Sequence, residues 1–262
     1  MRHAKALVSL AALPLLFSSP ARPEGTDSAA VPPPEVNAFA ANTEVLDVPT
    51  GSTMFGRMFG LNLRMYRGGG VMLKAAASWK NTLMGGFSTL ANNLIGSGKI
   101  DFPDDPPVRA FVKFRFLNNP KMGLQAAFGW DDSSYDVMRG RGLFAVVSRD
   151  LSVSGFYLTA HGGLGMVHLR DYKSDRDTNA FVGISGSLSE DFTVGLEWDD
   201  FLYEPTKGEI ADNPMLAQIK HGSCNAVAGF AWDVGLRIEL GFKNLFKGVA
   251  AHHRIAKIVY TF

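Results

Sequence analysis

The sequence predicts an all-β chain closed as an antiparallel transmembrane β-barrel of about 12 strands. Two observations carry this reading. Apolar and polar residues alternate with period 2 in one segment after another, as side chains do along a strand with one face buried and one facing outward. Short and long connections then alternate between those segments, as in barrels with tight turns at one rim and longer loops at the other. A third observation is the ending: residues 253–262 form a strand that runs to the last residue, and such a strand needs a neighbour on each side. Pairing it with the first strand supplies that neighbour.

The first segment, residues 1–21, has Arg2, His3 and Lys5 before an apolar run at 6–17, and Ser19, Pro20 and Ala21 after it. This is the pattern of a cleaved secretion signal, and the run is shorter than the about 18 residues a membrane helix needs. No cysteine follows the run to take a lipid anchor; the only cysteine, Cys224, has no partner for an internal disulfide. Residues 22–54 are rich in Pro and Ala, with Pro32, Pro33 and Pro34 in succession, and read as an extended periplasmic linker. The barrel is then expected over residues 55–262. With Lys plus Arg at 26 against Asp plus Glu at 25, the near-neutral charge argues against a nucleic-acid partner.

Residues 236–243 alternate most cleanly: Leu236, Ile238, Leu240 and Phe242 oppose Arg237, Glu239, Gly241 and Lys243. No helix would place those apolar residues on one face. The same reading holds for residues 59–66, 108–116 and 192–199. Weaker strands are expected at 71–79, 83–90, 124–131, 143–148, 156–169, 179–188 and 224–232, before the terminal strand. Tight turns are expected at 80–81, 118–121, 149–150, 189–191 and 233–235. Longer connections are expected at 92–106, 132–141, 170–178, 204–222 and 245–252, with 67–70 the one short exception on that side. Trp79, Trp130, Trp198 and Trp232 each fall at a strand end on the outward face, the placement of an aromatic membrane girdle.

The final residues Ile258, Tyr260 and Phe262, spaced by two, resemble the C-terminal signature of bacterial outer-membrane β-barrel proteins. The resemblance implies an assembly signal read by the barrel-assembly machinery, an outer-membrane location reached by secretion, and outer-membrane lipid as surroundings. A looser similarity covers much of residues 68–136. Gly68, Gly69 and Gly70, the run Asn93-Leu94-Ile95-Gly96-Ser97, the strand at 107–117 and Phe128-Gly129-Trp130-Asp131-Asp132 resemble uncharacterised outer-membrane barrels. These include the YjbH-like group linked to exopolysaccharide production. That likeness carries over no functional residue, and the chain lacks the lipoprotein cysteine and extra domains of a full YjbH-like protein.

The predicted register turns Arg64, Lys74, Arg109, Lys113, Arg115, Asp131, Glu197, Asp199, Arg237, Glu239, Lys243 and Lys257 into the lumen, with His161 and Tyr157 nearby. These are the candidate pore-lining residues. They suit either a salt-bridged plug or a polar pore whose basic wall favours anions. Inward Gly60, Gly129, Gly195, Gly229 and Gly241 open space or let the wall bend. Catalysis has one candidate, His161 with Ser152 or Ser154, but a separation of seven or nine residues along a strand spans about 20 to 30 Å. Gly96-Ser97-Gly98-Lys99 lacks the Gly and Ser/Thr of a phosphate loop. The acidic residues around Asp101 and Asp131, and the pair His252 and His253, have no regular ligand spacing, so neither metal nor cofactor is expected.

The expected function is a small pore or a component of envelope or exopolysaccharide transport, taking an envelope polysaccharide or a small anionic solute. A non-conducting structural or adhesive barrel with partner-binding external loops is the alternative. A lipid-modifying enzyme of the outer membrane is the third class.

Overall fold

The computed structural model describes residues 43–54, 56–102, 107–133, 142–153, 156–166, 178–189, 191–199, 223–245 and 253–262. The expected secretion signal and most of the expected linker lie outside the described residues, as do the larger parts of four of the five longer connections.

Among the described residues, twelve strands form one closed antiparallel barrel in which each strand pairs with its neighbours in sequence. They are β1 (Phe59–Met65), β2 (Val71–Trp79), β3 (Leu83–Ala91), β4 (Val108–Asn119), β5 (Leu124–Asp131) and β6 (Gly142–Val153). The second half consists of β7 (Phe156–Met166), β8 (Thr178–Ser187), β9 (Phe192–Asp199), β10 (Ser223–Ala231), β11 (Leu236–Lys243) and β12 (His253–Thr261). The seam joins β1 to β12, with Gly60 opposite Thr261 and Met65 opposite Ala256. Phe262 extends it: its backbone N–H donates to the Phe59 carbonyl, and Phe59 N–H donates back, both at 2.9 Å. Its ring stacks on Phe59 and on Tyr260, with centroids 6.0 and 5.7 Å away. The alternating ending thus closes the sheet and leaves β1 and β12 without a free edge.

Alternation has the physical consequence expected of it. In β11 every even residue is outward or half-exposed and every odd one buried. The outer surface carries exposed Phe59, Leu73, Phe87, Phe128, Leu164, Leu196 and Leu240, while the interior holds Arg64, Glu197, Glu239 and Lys257. The usual arrangement of a water-soluble protein is inverted. All four tryptophans face outward: Trp79 and Trp232 at the tight-turn end, Trp130 and Trp198 at the long-loop end. The Arg57 guanidinium lies 4.1 Å from the Trp79 ring centroid, a cation over an aromatic face at that rim.

Two turn expectations are corrected. Arg149 and Asp150 are strand residues, because β6 runs on to Val153 and pairs through Arg149–Ala160 and Asp150–Thr159 with β7. β4 likewise runs through Asn118 and Asn119, and its turn begins at Pro120, where the missing N–H ends the ladder, and closes at Gly123 with φ of +60°. A bulge between Arg115 and Leu117 shifts the register of this longer strand. The short hairpin at residues 67–70 is covered by the next loop: Ile95 N–H donates to the Gly69 carbonyl. A Cβ on Gly69 would meet the Ile95 oxygen at 1.8 Å.

Residues 43–54, expected as the end of the linker, lie instead inside the barrel. Val45, Leu46, Val48 and Met54 are buried against inward wall residues. Val45 and Leu46 pack with Tyr66, Met72, Leu90, Val227 and Ile255 toward the long-loop end. Val48 packs with Ala127, Phe144, Val146 and Phe181. Met54 packs with Met84 and Phe111 on its way to β1.

Candidate functional site: an acidic turn lodged in a basic lumen

The lumenal segment is a tight turn. Val45 N–H donates to the Val48 carbonyl at 2.8 Å and Thr50 N–H to the Thr43 carbonyl at 3.1 Å. The wall grips both ends of that turn through β4: Lys113 Nζ donates to the carbonyls of Thr43 at 2.9 Å and Thr50 at 3.3 Å.

The tip is held from β9. The Glu197 carboxylate accepts the backbone N–H groups of Leu46, Asp47 and Val48 at 2.9 to 3.2 Å, and the Asn225 amide at 2.8 Å. Three successive amides on one carboxylate satisfy donors that no strand can reach, and the charge strengthens each bond. This is why the turn can lie buried without a sheet partner of its own.

Its two acids meet the basic side of the wall. One guanidinium, that of Arg64 on β1, bridges both: one terminal nitrogen contacts Glu44 and the other lies 2.6 Å from Asp47. Lys74 Nζ lies 2.6 Å from Glu44 and 3.2 Å from Asp131, and Lys243 Nζ lies 2.5 Å from Asp47. Burial opposes ionisation of Glu44, but Lys74, Arg64 and Lys257 outweigh it and hold the carboxyl well below its ordinary range.

Two further groups of charge pair along the wall. Glu239 takes Arg237 Nε at 2.9 Å and Lys257 Nζ at 2.8 Å, and Arg109 reaches Asp132 at 3.4 Å. Arg109, Arg115, Glu197 and Glu239 therefore do not converge on one another. Every candidate lumen residue does face inward, although Arg109 and Arg115 are only half-buried. Two spaces lined by the turn itself are about 40 and about 10 Å³, the larger also lined by Lys74, Arg237 and Lys257 and wide enough for only a few waters at most, and a separate space of about 800 Å³ lies toward the long-loop end against Tyr66, Gly241, Lys243 and Ile255.

Inward glycines receive the turn's apolar side chains. A Cβ on Gly195 would press Val45 at 2.7 Å, one on Gly241 would press Leu46 at 2.8 Å, and one on Gly60 would press the Met54 sulfur at 2.9 Å. Gly129 and Gly229 serve the wall itself, lying against Phe144 and Glu239.

His161 acquires partners that its sequence neighbourhood conceals. Its Nδ1 lies 2.7 Å from the Ser148 hydroxyl and its Nε2 lies 2.9 Å from that of Ser185, across β6, β7 and β8. Gly51 N–H donates to Ser148 Oγ at 2.6 Å. With that lone pair taken, the hydroxyl can donate to Nδ1, leaving Nε2 protonated toward Ser185. The chain is buried and ends on the plug backbone, so it anchors the descending segment. Ser152 stands opposite Tyr157 on the β6–β7 ladder rather than beside His161. Ser154 lies outside the described residues.

The lumenal turn is not legible in the alternation of the strands. Its signal was the imbalance of the predicted wall, eight basic side chains against four acidic, followed upstream by two acids in Glu44-Val45-Leu46-Asp47.

No family model and no curated protein matches the chain. Among solved structures it is similar to a KdgM porin, at 10% identity and a TM-score of 0.48, over 78% of this chain and 99% of that one. It is also similar to Wzi of Escherichia coli, described as a carbohydrate-binding β-barrel involved in group 1 capsule assembly. That match has 11% identity and a TM-score of 0.31, covering 74% of this chain and 52% of Wzi. A third is an outer-membrane protein of Vibrio cholerae, OmpT lacking loop L8, at 7% identity and a TM-score of 0.28, over 79% of this chain and 97% of that one.

Proposed function

We propose that this chain is an outer-membrane β-barrel with a basic lumen, serving as a small anion-favouring pore or as a component of envelope polymer transport, and that it rests closed. The observation that carries the reading is the inverted polarity of the barrel. A continuous apolar outer face suits lipid, with tryptophans at both rims. A strand wall that turns eight basic side chains inward against four acidic ones suits an anionic solute. Residues 1–21 then act as the secretion signal, and the tight-turn end faces the periplasm. The exopolysaccharide role suggested by the YjbH-like pattern is the polymer form of the same reading.

Heat-modifiable gel mobility and outer-membrane fractionation test the location; purely soluble periplasmic protein would overturn it. Planar-bilayer recording tests the pore, and anion-selective openings are expected once the turn is displaced. The filled lumen favours a second reading, a non-conducting structural or adhesive barrel acting through its external loops. Folded protein that stays silent even without residues 43–50 would select that one.

A further inference from the structure

We infer that the outer face of the β1–β12 seam, at its long-loop end, is a binding site for a phosphorylated, acylated lipid of the external leaflet: a lipid A-type phosphate lies between Arg67 and Arg254, and an acyl chain runs over Ala256. The inference rests on the outer-membrane reading above, in which that end faces away from the periplasm, and does not depend on whether the lumen conducts.

Among the described strand residues, parity turns only two charged side chains outward, Arg149 toward the tight-turn end and Arg254 toward the long-loop end. An outward charge on a barrel wall is tolerated near the headgroups and costly deeper in the hydrocarbon. Arg254 stands second in β12, opposite Phe242 of β11. Among the described residues it forms no ion pair, whereas the inward Arg64, Lys74, Lys243 and Lys257 each do. The seam register sets Met65 opposite Ala256, and two residues further along it brings Arg67 level with Arg254. Like charges facing each other across a strand pair repel, and a shared anion turns that repulsion into binding.

The space of about 800 Å³ at this end runs along the same residues. Met65, Leu240, Phe242 and Ala256 line its apolar side and Arg67 and Arg254 its basic rim, with no carboxylate among the described lining residues. Lys243 borders it while its ammonium stays on Asp47 in the lumen. Leu46, which covers the inner face of Gly241, takes no part in the lining, so the space lies clear of the lumenal turn. Ala256 is the small member of the outward row Leu240, Ala256, Met65, and leaves a notch one side chain deep beside the two arginines. Clefts that hold small ligands have volumes of about 300 to 1,000 Å³, the range into which this space falls. Paired guanidiniums above an apolar notch match a phosphate joined to acyl chains: their planar donors take the phosphate oxygens and the notch takes the hydrocarbon.

The test uses the refolded full chain in detergent micelles, with lipid retention read by native mass spectrometry. One lipid A should stay bound. Dephosphorylated lipid A should bind at least tenfold more weakly, and phosphatidylglycerol, a diester with a single charge, more weakly than lipid A. R67Q and R254Q should each weaken lipid A binding by about tenfold, as loss of a charge-assisted hydrogen bond does, while R149Q at the other rim should leave it unchanged. A256L should fill the notch and weaken binding with both arginines intact. Equal retention of phosphorylated and dephosphorylated lipid A, phosphatidylglycerol bound as tightly, or undiminished binding in folded R67Q/R254Q or A256L protein would overturn the inference. So would an equal loss in R149Q, which would show attraction to basic rims at large. Heat-modifiable protein in the outer-membrane fraction that retains no lipid A would remove this inference alone; purely soluble periplasmic protein would remove the outer-membrane reading with it.

Discussion

Replacing Glu197 with Gln should release the lumenal turn while leaving the barrel closed on itself. The Glu197 carboxylate accepts three backbone N–H groups, from Leu46, Asp47 and Val48. A hydrogen bond to a charged group contributes about 1.5 to 3 kcal/mol. The Gln carbonyl oxygen can still accept one or two of the three, but without the charge, and its NH2 turns donors toward donors. The net loss of docking is then about 2 to 4 kcal/mol, given the gross figures for charged bonds. At 1.4 kcal/mol per tenfold, that corresponds to a population of the undocked turn about 30- to 700-fold higher. Hydrogen exchange read by mass spectrometry measures this directly: amides 46–48 should exchange faster by that factor, while the β1–β12 amides keep their protection. Unchanged protection of 46–48 in folded E197Q protein would refute the assignment of Glu197 as the clamp. Equal acceleration throughout β1 and β12 would refute it differently, by showing that turn and barrel open as one unit.

Gly241→Val should also expel the turn, because even a Cβ there stands 2.8 Å from the Leu46 side chain; adding Leu46→Ala should restore protection of the turn in part. Leu46→Ala alone removes a fully buried side chain and should weaken docking by about 2 to 5 kcal/mol, read by the same exchange experiment. Ser148→Ala strips a buried hydroxyl from both His161 and Gly51 and should cost about 1 to 3 kcal/mol for each group left unsatisfied, lowering the thermal midpoint. A structural role predicts that lipid composition is unchanged in cells carrying S148A or H161A, and altered lipid A or phospholipid would revive the enzyme. Deleting Phe262 removes two seam hydrogen bonds and two ring contacts, so the heat-modifiable folded fraction should fall before any conductance changes. Normal assembly of the deletion would count against Phe262 as the closing residue.

Much of the barrel was legible because strand signals are local. Four strands, β2, β5, β9 and β11, have the boundaries that alternation alone gives, and most others differ by a few residues at the ends. The misses fall where alternation stops being informative. Arg149 and Asp150 look like a polar turn, yet they pair into β6 because the hairpin partner β7 extends opposite them. The inward positions of Arg64, Glu197, Glu239 and Lys257 followed from parity alone, since a period of two fixes the face of every residue in a register. What parity could not give was what each charge meets.

The sequence by itself determined the wall: which segments are strands, which face of each is apolar, and that the last strand must find the first. Those properties depend on neighbours two residues away, so a linear reading reaches them. Only the tertiary structure decided the contents of the wall. Glu197 and the amides it binds are separated by 149 to 151 residues, and Lys113 lies 63 residues from Thr50 and 70 from Thr43. Closure of the barrel gathers charges from distant strands around one axis, and the unbalanced basic interior that results is completed by Glu44 and Asp47. A segment composed like a linker thereby becomes the plug, because its acids and its small apolar side chains fit a space that exists only once the last strand has met the first.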